Sequence, residues 1–116
     1  MACDLARGYA FAPNASRKGL PYHSRCIARS LMGNPELLLA DEPTEGLAPI
    51  MVQEVRDVLA GIKKAGVFIL LVEHNLKVAM SLAARLYLMG EAHGGFSGTP
   101  EELQAQPAIR EKYLEV

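Results

Sequence analysis

Two neighbouring carboxylates stand at the end of an apolar run. Residues 37–40 are apolar, Asp41 and Glu42 follow directly, and Pro43 ends the strand. A continuous apolar run of this length is typical of a strand buried on both faces, as in a parallel sheet. Ligands of such sheets bind at the carboxyl ends of the strands. One carboxylate there could hold Mg²⁺ through water, and the other could polarise an attacking water. The alternative is a strand that exits into a polar turn.

A second predicted strand also ends in polar residues. Residues 67–72 are apolar, and Glu73, His74 and Asn75 follow them. Because adjacent parallel strands lie about 5 Å apart, we expect Glu42 and His74 to face one phosphate group and one water molecule. A lone histidine after a strand is often structural, but its pairing with an acidic strand end favours a site.

The residues between these strands predict a connecting helix. Pro49 suits the first helical turn, and Gly66 stands where the helix should end. The apolar residues between them have the spacing of one buried stripe, namely Val52, Val55, Leu59 and Ile62. The segment is therefore a β-α-β unit, whose crossover is expected to be right-handed.

Shorter elements are predicted on both sides of this unit. They are a helix over 24–32 capped by Gly33, a helix over 76–84 capped by Asn75, strands at 85–89 and around Phe96, and helices at 100–104 and 107–114. Thr99 and Glu102 form a capping-box pattern. Residues 1–23 show little pattern. We therefore predict an irregular or rearranged segment over 1–23 and an α/β portion over 24–116.

The composition narrows the function classes. Twelve basic residues stand against thirteen acidic ones, which indicates neither nucleic acid nor an anionic membrane surface as a partner. No apolar run approaches the ~20 residues that span a bilayer, and no secretion signal is expected. The two cysteines, Cys3 and Cys26, lack metal-ligand spacing, which favours a reducing compartment.

Several of these segments resemble ATP-binding-cassette (ABC) ATPases. LLLADEP at 37–43 resembles their Walker B segment, LVEHN at 71–75 their switch-histidine loop, and IARSL at 27–31 the helix after their signature motif. The stretch at 41–49 and the tail resemble the ATP-binding subunits of branched-chain amino acid importers. The resemblance covers about residues 25–116. It implies an α/β fold, part of a P-loop NTPase-like (ABC ATPase) domain with a mostly parallel sheet and flanking helices.

The resemblance also implies roles for individual residues. Glu42 and His74 would be catalytic, the first as general base or water-positioning group and the second as a contact of the γ-phosphate. Asp41 would bind Mg²⁺ indirectly. The D-loop, which crosses a dimer interface in the family, would comprise Thr44, Glu45, Gly46 and Leu47. Ala48 stands where the family usually has aspartate, a departure that the branched-chain subgroup tolerates.

The cofactors and partners follow from the same resemblance. ATP and Mg²⁺ are the expected cofactors, and a second ABC ATPase subunit and membrane permease subunits are the expected partners. We expect a cytoplasmic protein that is peripheral to the inner face of the cell membrane, without direct insertion and without nucleic acid.

The beginning of the chain departs from the family. ABC ATPases need a G-x-x-x-x-G-K-[ST] loop for the β- and γ-phosphates, and this sequence contains no Gly-Lys pair. RKGLPYH at 17–23 stands where the signature motif is expected, and only Gly19 matches. We therefore expect residues 24–116 to be the carboxyl-terminal half of such a subunit, joined to an unrelated or rearranged start. A truncated or frame-shifted gene would produce such a chain, and we expect it to be inactive alone.

Two alternatives belong to other classes. A receiver-like signalling domain has a similar length, but it needs a lysine at a late strand end, and Gly90 and Glu91 follow residues 86–89. A non-catalytic binding fragment is the second alternative. Missing layers would leave a sheet edge and part of a core face exposed, which favours association.

Overall fold

The computed structural model describes residues 22–90 and 94–114, which fall into two compact units divided between Glu73 and His74. The irregular segment predicted for residues 1–23 lies outside the described residues except for its last two positions, which belong to the first helix. Most of the stretch expected at the signature position, 17–21, also lies outside them.

The first unit contains the predicted β-α-β arrangement. Its elements are α1 (Tyr22–Leu31), β1 (Leu37–Asp41), α2 (Pro49–Lys64) and β2 (Phe68–Val72). β1 and β2 pair in parallel, with Leu37 opposite Phe68 and Asp41 opposite Val72. The parallel pairing confirms the prediction, and it brings the carboxyl ends of both strands to the same edge.

The core of this unit is the apolar stripe of α2 and one face of the sheet. Val55, Leu59 and Ile62 are fully buried, and Leu38 is buried on β1. Val52, the fourth residue of the predicted stripe, is only half-buried. A helix presents one stripe to a core, and here the buried stripe spans two turns.

The prediction that the strands are buried on both faces is wrong for the described chain. Alternate side chains point to opposite faces of a strand, and the five on one face are 52–75% exposed. They are Leu37, Leu39, Phe68, Leu70 and Val72. We call these five side chains the open apolar face. A continuous apolar run indicates that both faces of a strand suit a buried environment. Here the described residues bury only one face of the two strands.

The end of α1 differs from the sequence prediction, whereas the end of α2 agrees with it. The sequence predicts Gly33 as the cap of α1, but the left-handed residue is Asn34, with φ 49°. Its N–H donates to the carbonyl of Leu31. Asparagine tolerates this conformation better than most residues do. At the end of α2 the expectation holds, because Gly66 has φ 90° and its N–H donates to the carbonyl of Lys63.

The second unit combines short helices with a small antiparallel sheet. Its elements are α3 (Leu76–Leu82), β3 (Leu86–Met89), β4 (Gly94–Gly98), α4 (Pro100–Gln104) and α5 (Pro107–Leu114). β3 and β4 pair antiparallel, so parallel pairing is confined to β1 and β2 among the described strands. Val78, Leu86 and Leu103 are its buried apolar residues.

The capping box of α4 is present as predicted. The Thr99 N–H donates to Glu102 Oε2 at 2.9 Å, and the Glu102 N–H donates to Thr99 Oγ1 at 3.2 Å. Gly98 precedes it because a Cβ there would collide with the Phe96 ring and the Glu102 carboxylate. Within residues 22–90 and 94–114, every helix falls short of the length and apolar character that a membrane span requires.

Candidate functional site

The acidic pair lies at the carboxyl end of β1. Asp41 is the last residue of the strand and is exposed, opposite Val72 of β2. Glu42 is half-buried, and its N–H donates to the carbonyl of Val72 at 2.8 Å. This bond carries the ladder one residue beyond the last strand pair, so the position of Glu42 is set by the sheet.

Glu42 has an unusual backbone conformation. Its φ is 45°, in the left-handed region that costs a residue with a side chain about 1–2 kcal/mol. Sequence reasoning gave no sign of this conformation. Strain of this kind persists where surrounding structure fixes it, and it concentrates at functional sites. The observation favours a site over a strand that merely exits into a polar turn.

The loop after β1 is compact and internally hydrogen-bonded. The Glu45 N–H donates to the carbonyl of Glu42 at 3.1 Å, and the Leu47 N–H donates to the carbonyl of Thr44 at 3.3 Å. Gly46 adopts φ 69°, which glycine accepts without strain. The four residues expected to form the D-loop therefore lie in one ordered turn. Their place at a dimer interface stays a prediction.

Thr44 is tied to the end of the neighbouring strand. Its Oγ1 donates to Glu73 Oε2 at 2.7 Å, and the threonine is 5% exposed. The sequence pattern identifies Glu73 only as a polar residue after a strand and does not predict this hydrogen bond. One sequence signal was available, since Thr44 and Glu73 each follow within three residues the ends of two strands predicted to pair.

His74 is the first residue of the second unit, and its side chain is exposed. The next residue, Asn75, caps α3 as predicted, because its Oδ1 accepts from the Val78 N–H at 3.3 Å. The expected gathering of His74 with Asp41 and Glu42 stays a prediction.

Binding of Mg²⁺ by Asp41 through water stays a prediction. Among the described residues, no group of three histidine, cysteine, aspartate or glutamate side chains could hold a metal ion. Mg²⁺ commonly keeps several waters and binds through one or two carboxylates together with substrate phosphates. An exposed Asp41 beside a half-buried Glu42 fits that mode.

The sequence is similar to several bacterial transport proteins. It is 39% identical over 88 residues to the high-affinity branched-chain amino acid transport ATP-binding protein BraG of Pseudomonas aeruginosa, and 35% identical over 89 residues to LivG of Salmonella typhimurium, which has the same description. It is 31% identical over 88 residues to the lipopolysaccharide export system ATP-binding protein LptB of Haemophilus influenzae. These matches cover 76% of this chain but only 35–38% of each relative, and no family model matches.

Solved structures show the same fold. One ATP-binding cassette of an ABC transporter, MJ1267 in its ADP conformation, superposes with a TM-score of 0.74 at 25% identity. CbiO1 from Clostridium perfringens, part of the ABC transporter complex cbiONQ, gives 0.72 at 23%. The matches cover 98% and 96% of this chain and 47% of each of those chains. They confirm the predicted fold class, a partial ABC ATPase domain of the α/β type.

Proposed function

We propose that this chain, which is related to the ATP-binding proteins of ABC transporters, supplies the Walker B and switch-histidine part of an ATPase site. The observation that carries the proposal is the acidic pair at the carboxyl end of β1. Asp41 ends the strand there, and Glu42, whose φ is 45°, donates its N–H to the carbonyl of Val72. A half-buried, positioned carboxylate next to an exposed one suits a water-positioning group beside an indirect Mg²⁺ ligand.

Each site residue then has a part in hydrolysis. Glu42 would orient or deprotonate the attacking water, His74 would contact the γ-phosphate, and Asp41 would hold Mg²⁺ through water. Bound Mg²⁺-ATP supplies the phosphoryl group that is transferred. The amides and lysine that hold the β- and γ-phosphates have to come from residues that this sequence does not contain. The turn with Thr44, Glu45, Gly46 and Leu47 would face a second ATPase subunit.

The proposed parent system is an importer of branched-chain amino acids. BraG and LivG, at 39% and 35% identity, bear that description, whereas LptB, at 31%, is described as part of lipopolysaccharide export. Lipopolysaccharide export is therefore the alternative cargo. In either system the chain would work with membrane permease subunits at the inner face of the membrane.

A chimaera tests the role of the acidic pair. Residues 24–116 replace the corresponding segment of BraG, so that BraG provides its own remaining residues. We expect the chimaera to hydrolyse ATP, and we expect Glu42→Gln to lower turnover about 100-fold or more while ATP binding persists. Glu54→Gln, an exposed substitution on α2, is the control and should leave turnover unchanged.

The 116-residue chain gives the complementary measurement. We expect no ATP turnover from it, and weak or no ATP binding by calorimetry with and without Mg²⁺. Turnover by the chain alone that disappears in Glu42→Gln would show that no external phosphate loop is needed. A folded chimaera whose turnover is indifferent to Glu42→Gln would refute the assigned role.

A non-catalytic binding fragment is the second candidate function. The open apolar face favours it, because soluble monomers rarely expose a contiguous apolar patch without a partner for it. The ATPase role and the binding role are compatible. The first describes the chemistry of the parent site, and the second describes what the chain does by itself.

A further inference from the structure

Thr44 is the only buried polar residue within residues 25–90 and 95–111, whose side-chain exposure the structure describes. A buried hydroxyl needs a hydrogen-bond partner, and it has one in Glu73 Oε2 at 2.7 Å. The acceptor is a carboxylate, and hydrogen bonds to charged groups are shorter and stronger than those between neutral groups. This contact is therefore among the stronger side-chain interactions of the first unit.

The bond joins two segments that are 29 residues apart in the chain. Thr44 lies two residues after Glu42, and Glu73 directly follows the last residue of β2. On the other side of the turn, the Glu42 N–H is bonded to the carbonyl of Val72. The strained residue is thus held from both directions, by the sheet ladder through its own N–H and by the side chain of Thr44 two residues later.

We propose that Thr44 and Glu73 are positioning residues that hold Glu42 in its left-handed conformation. Without the side-chain bond, one of the contacts that oppose the preference of a glutamate for negative φ would be lost. The part that Glu42 plays with a water molecule rests on the proposed function. The hydrogen bond and the order that it imposes on residues 42–47 do not rest on the proposed function.

Amide hydrogen exchange by NMR on the 116-residue chain tests the proposal without any nucleotide. Thr44→Val keeps the shape and removes the hydroxyl, whereas Thr44→Ser keeps the hydroxyl. We expect Thr44→Val to raise exchange about tenfold at the Glu45 and Leu47 amides, as loss of a bond of this class implies. Exchange at Leu59 and Ile62 in α2 should stay unchanged, and Thr44→Ser should restore the parent pattern.

A second readout reports the backbone of Glu42 directly. Its three-bond HN–Hα coupling and Cα chemical shift depend on φ, and we expect both to move toward extended values in Thr44→Val and in Glu73→Ala. Because Glu73 is only half-buried, Glu73→Ala gives an answer even if Thr44→Val fails to fold.

Two results would overturn the proposal. Equal acceleration of exchange in the turn and in α2 would mean that Thr44 contributes to general stability only. Unchanged exchange and an unchanged Glu42 coupling would mean that the Thr44–Glu73 bond does not hold Glu42. Neither result depends on ATP, so failure of this proposal is distinguishable from failure of the proposed ATPase role.

Discussion

The acidic residue at the end of β1 occupies a backbone conformation that glycine would adopt more easily. Glu42 has φ 45°, and its N–H is fixed to the carbonyl of Val72. The conformation is unfavourable for a residue with a Cβ by about 1–2 kcal/mol. A glutamate at this position therefore lowers the stability of the fold. Such a loss is expected where the carboxylate has a function.

The cost can be measured by comparing two substitutions of Glu42. We expect Glu42→Gly to be more stable than Glu42→Ala by about 0.5–1 kcal/mol, because glycine adopts the left-handed conformation without the penalty of a Cβ. Part of this gain is offset because glycine increases the conformational entropy of the unfolded chain. Urea unfolding measures the difference. At Glu54, exposed in α2, the order should be reversed, with glycine about 1 kcal/mol worse than alanine. The same order at both positions would contradict a left-handed Glu42.

The stability of the folded chain is expected to depend on pH at Glu101. Its pKa lies below the usual 4.5, because the carboxylate accepts a hydrogen bond from its own backbone N–H and a second from the Thr99 hydroxyl. The lowered pKa belongs to the folded state, so the stabilisation is present above pH 4.5 and is lost as the pH falls through the folded-state pKa.

NMR titration of the Glu101 carboxyl carbon tests this assignment. We expect the pKa of Glu101 to rise toward 4.5 in Thr99→Val and to remain lowered in Thr99→Ser, which keeps the hydroxyl. An identical pKa of Glu101 in the parent chain and in Thr99→Val would show that the hydroxyl has no part in the shift.

At the scale of the elements, α2 begins without a side-chain cap. Ala48 is the N-cap residue, with extended backbone angles and no side-chain hydrogen bond to the first turn. Aspartate, which is usual at this position in ABC ATPases, has a carboxylate that can accept from the orphan N–H groups of that turn. Ala48 provides no such acceptor to the helix that holds the core of the first unit.

Restoring the cap should stabilise the fold. We expect Ala48→Asp to raise the free energy of unfolding by about 1 kcal/mol, through the cap bond and the favourable charge at the helix N-terminus. Ala48→Asn separates the two effects, because it provides a similar cap without the charge. Thermal and urea unfolding give the values. If neither variant is more stable than the parent chain, the N-terminus of α2 is satisfied in another way.

Patterns within one element were predictable, whereas contacts between elements were not. The spacing of Val55, Leu59 and Ile62 predicts α2, and the Thr99–Glu102 pair predicts the start of α4. Periodicity does not decide whether Gly33 or Asn34 takes the left-handed position, because both accept it. The Thr44–Glu73 bond joins residues that are distant in the sequence, and no local preference encodes it.

For the whole molecule, the main departure from the sequence expectation is the open apolar face. Parallel sheets are normally covered on both sides. The continuous apolar runs of β1 and β2 are typical of strands that are buried on both faces. The described residues bury Leu38 and leave Leu39, Phe68 and Leu70 exposed. The structural relatives are about twice as long as the part that this chain matches. The sequence pattern thus predicts the environment of a complete domain, of which these residues form one part.

The open apolar face should make the chain associate. We expect concentration-dependent sedimentation of the 116-residue chain in analytical ultracentrifugation, because burying these side chains removes apolar area from water. Leu39→Thr with Leu70→Thr places β-branched residues, which suit strands, at both positions and reduces that area, so the double variant should sediment as a monomer with its unfolding little changed. Met32→Thr, an exposed change outside the face, should associate like the parent. A monomeric parent chain at every concentration would show that the face is covered, and it would remove the support for the binding-fragment function.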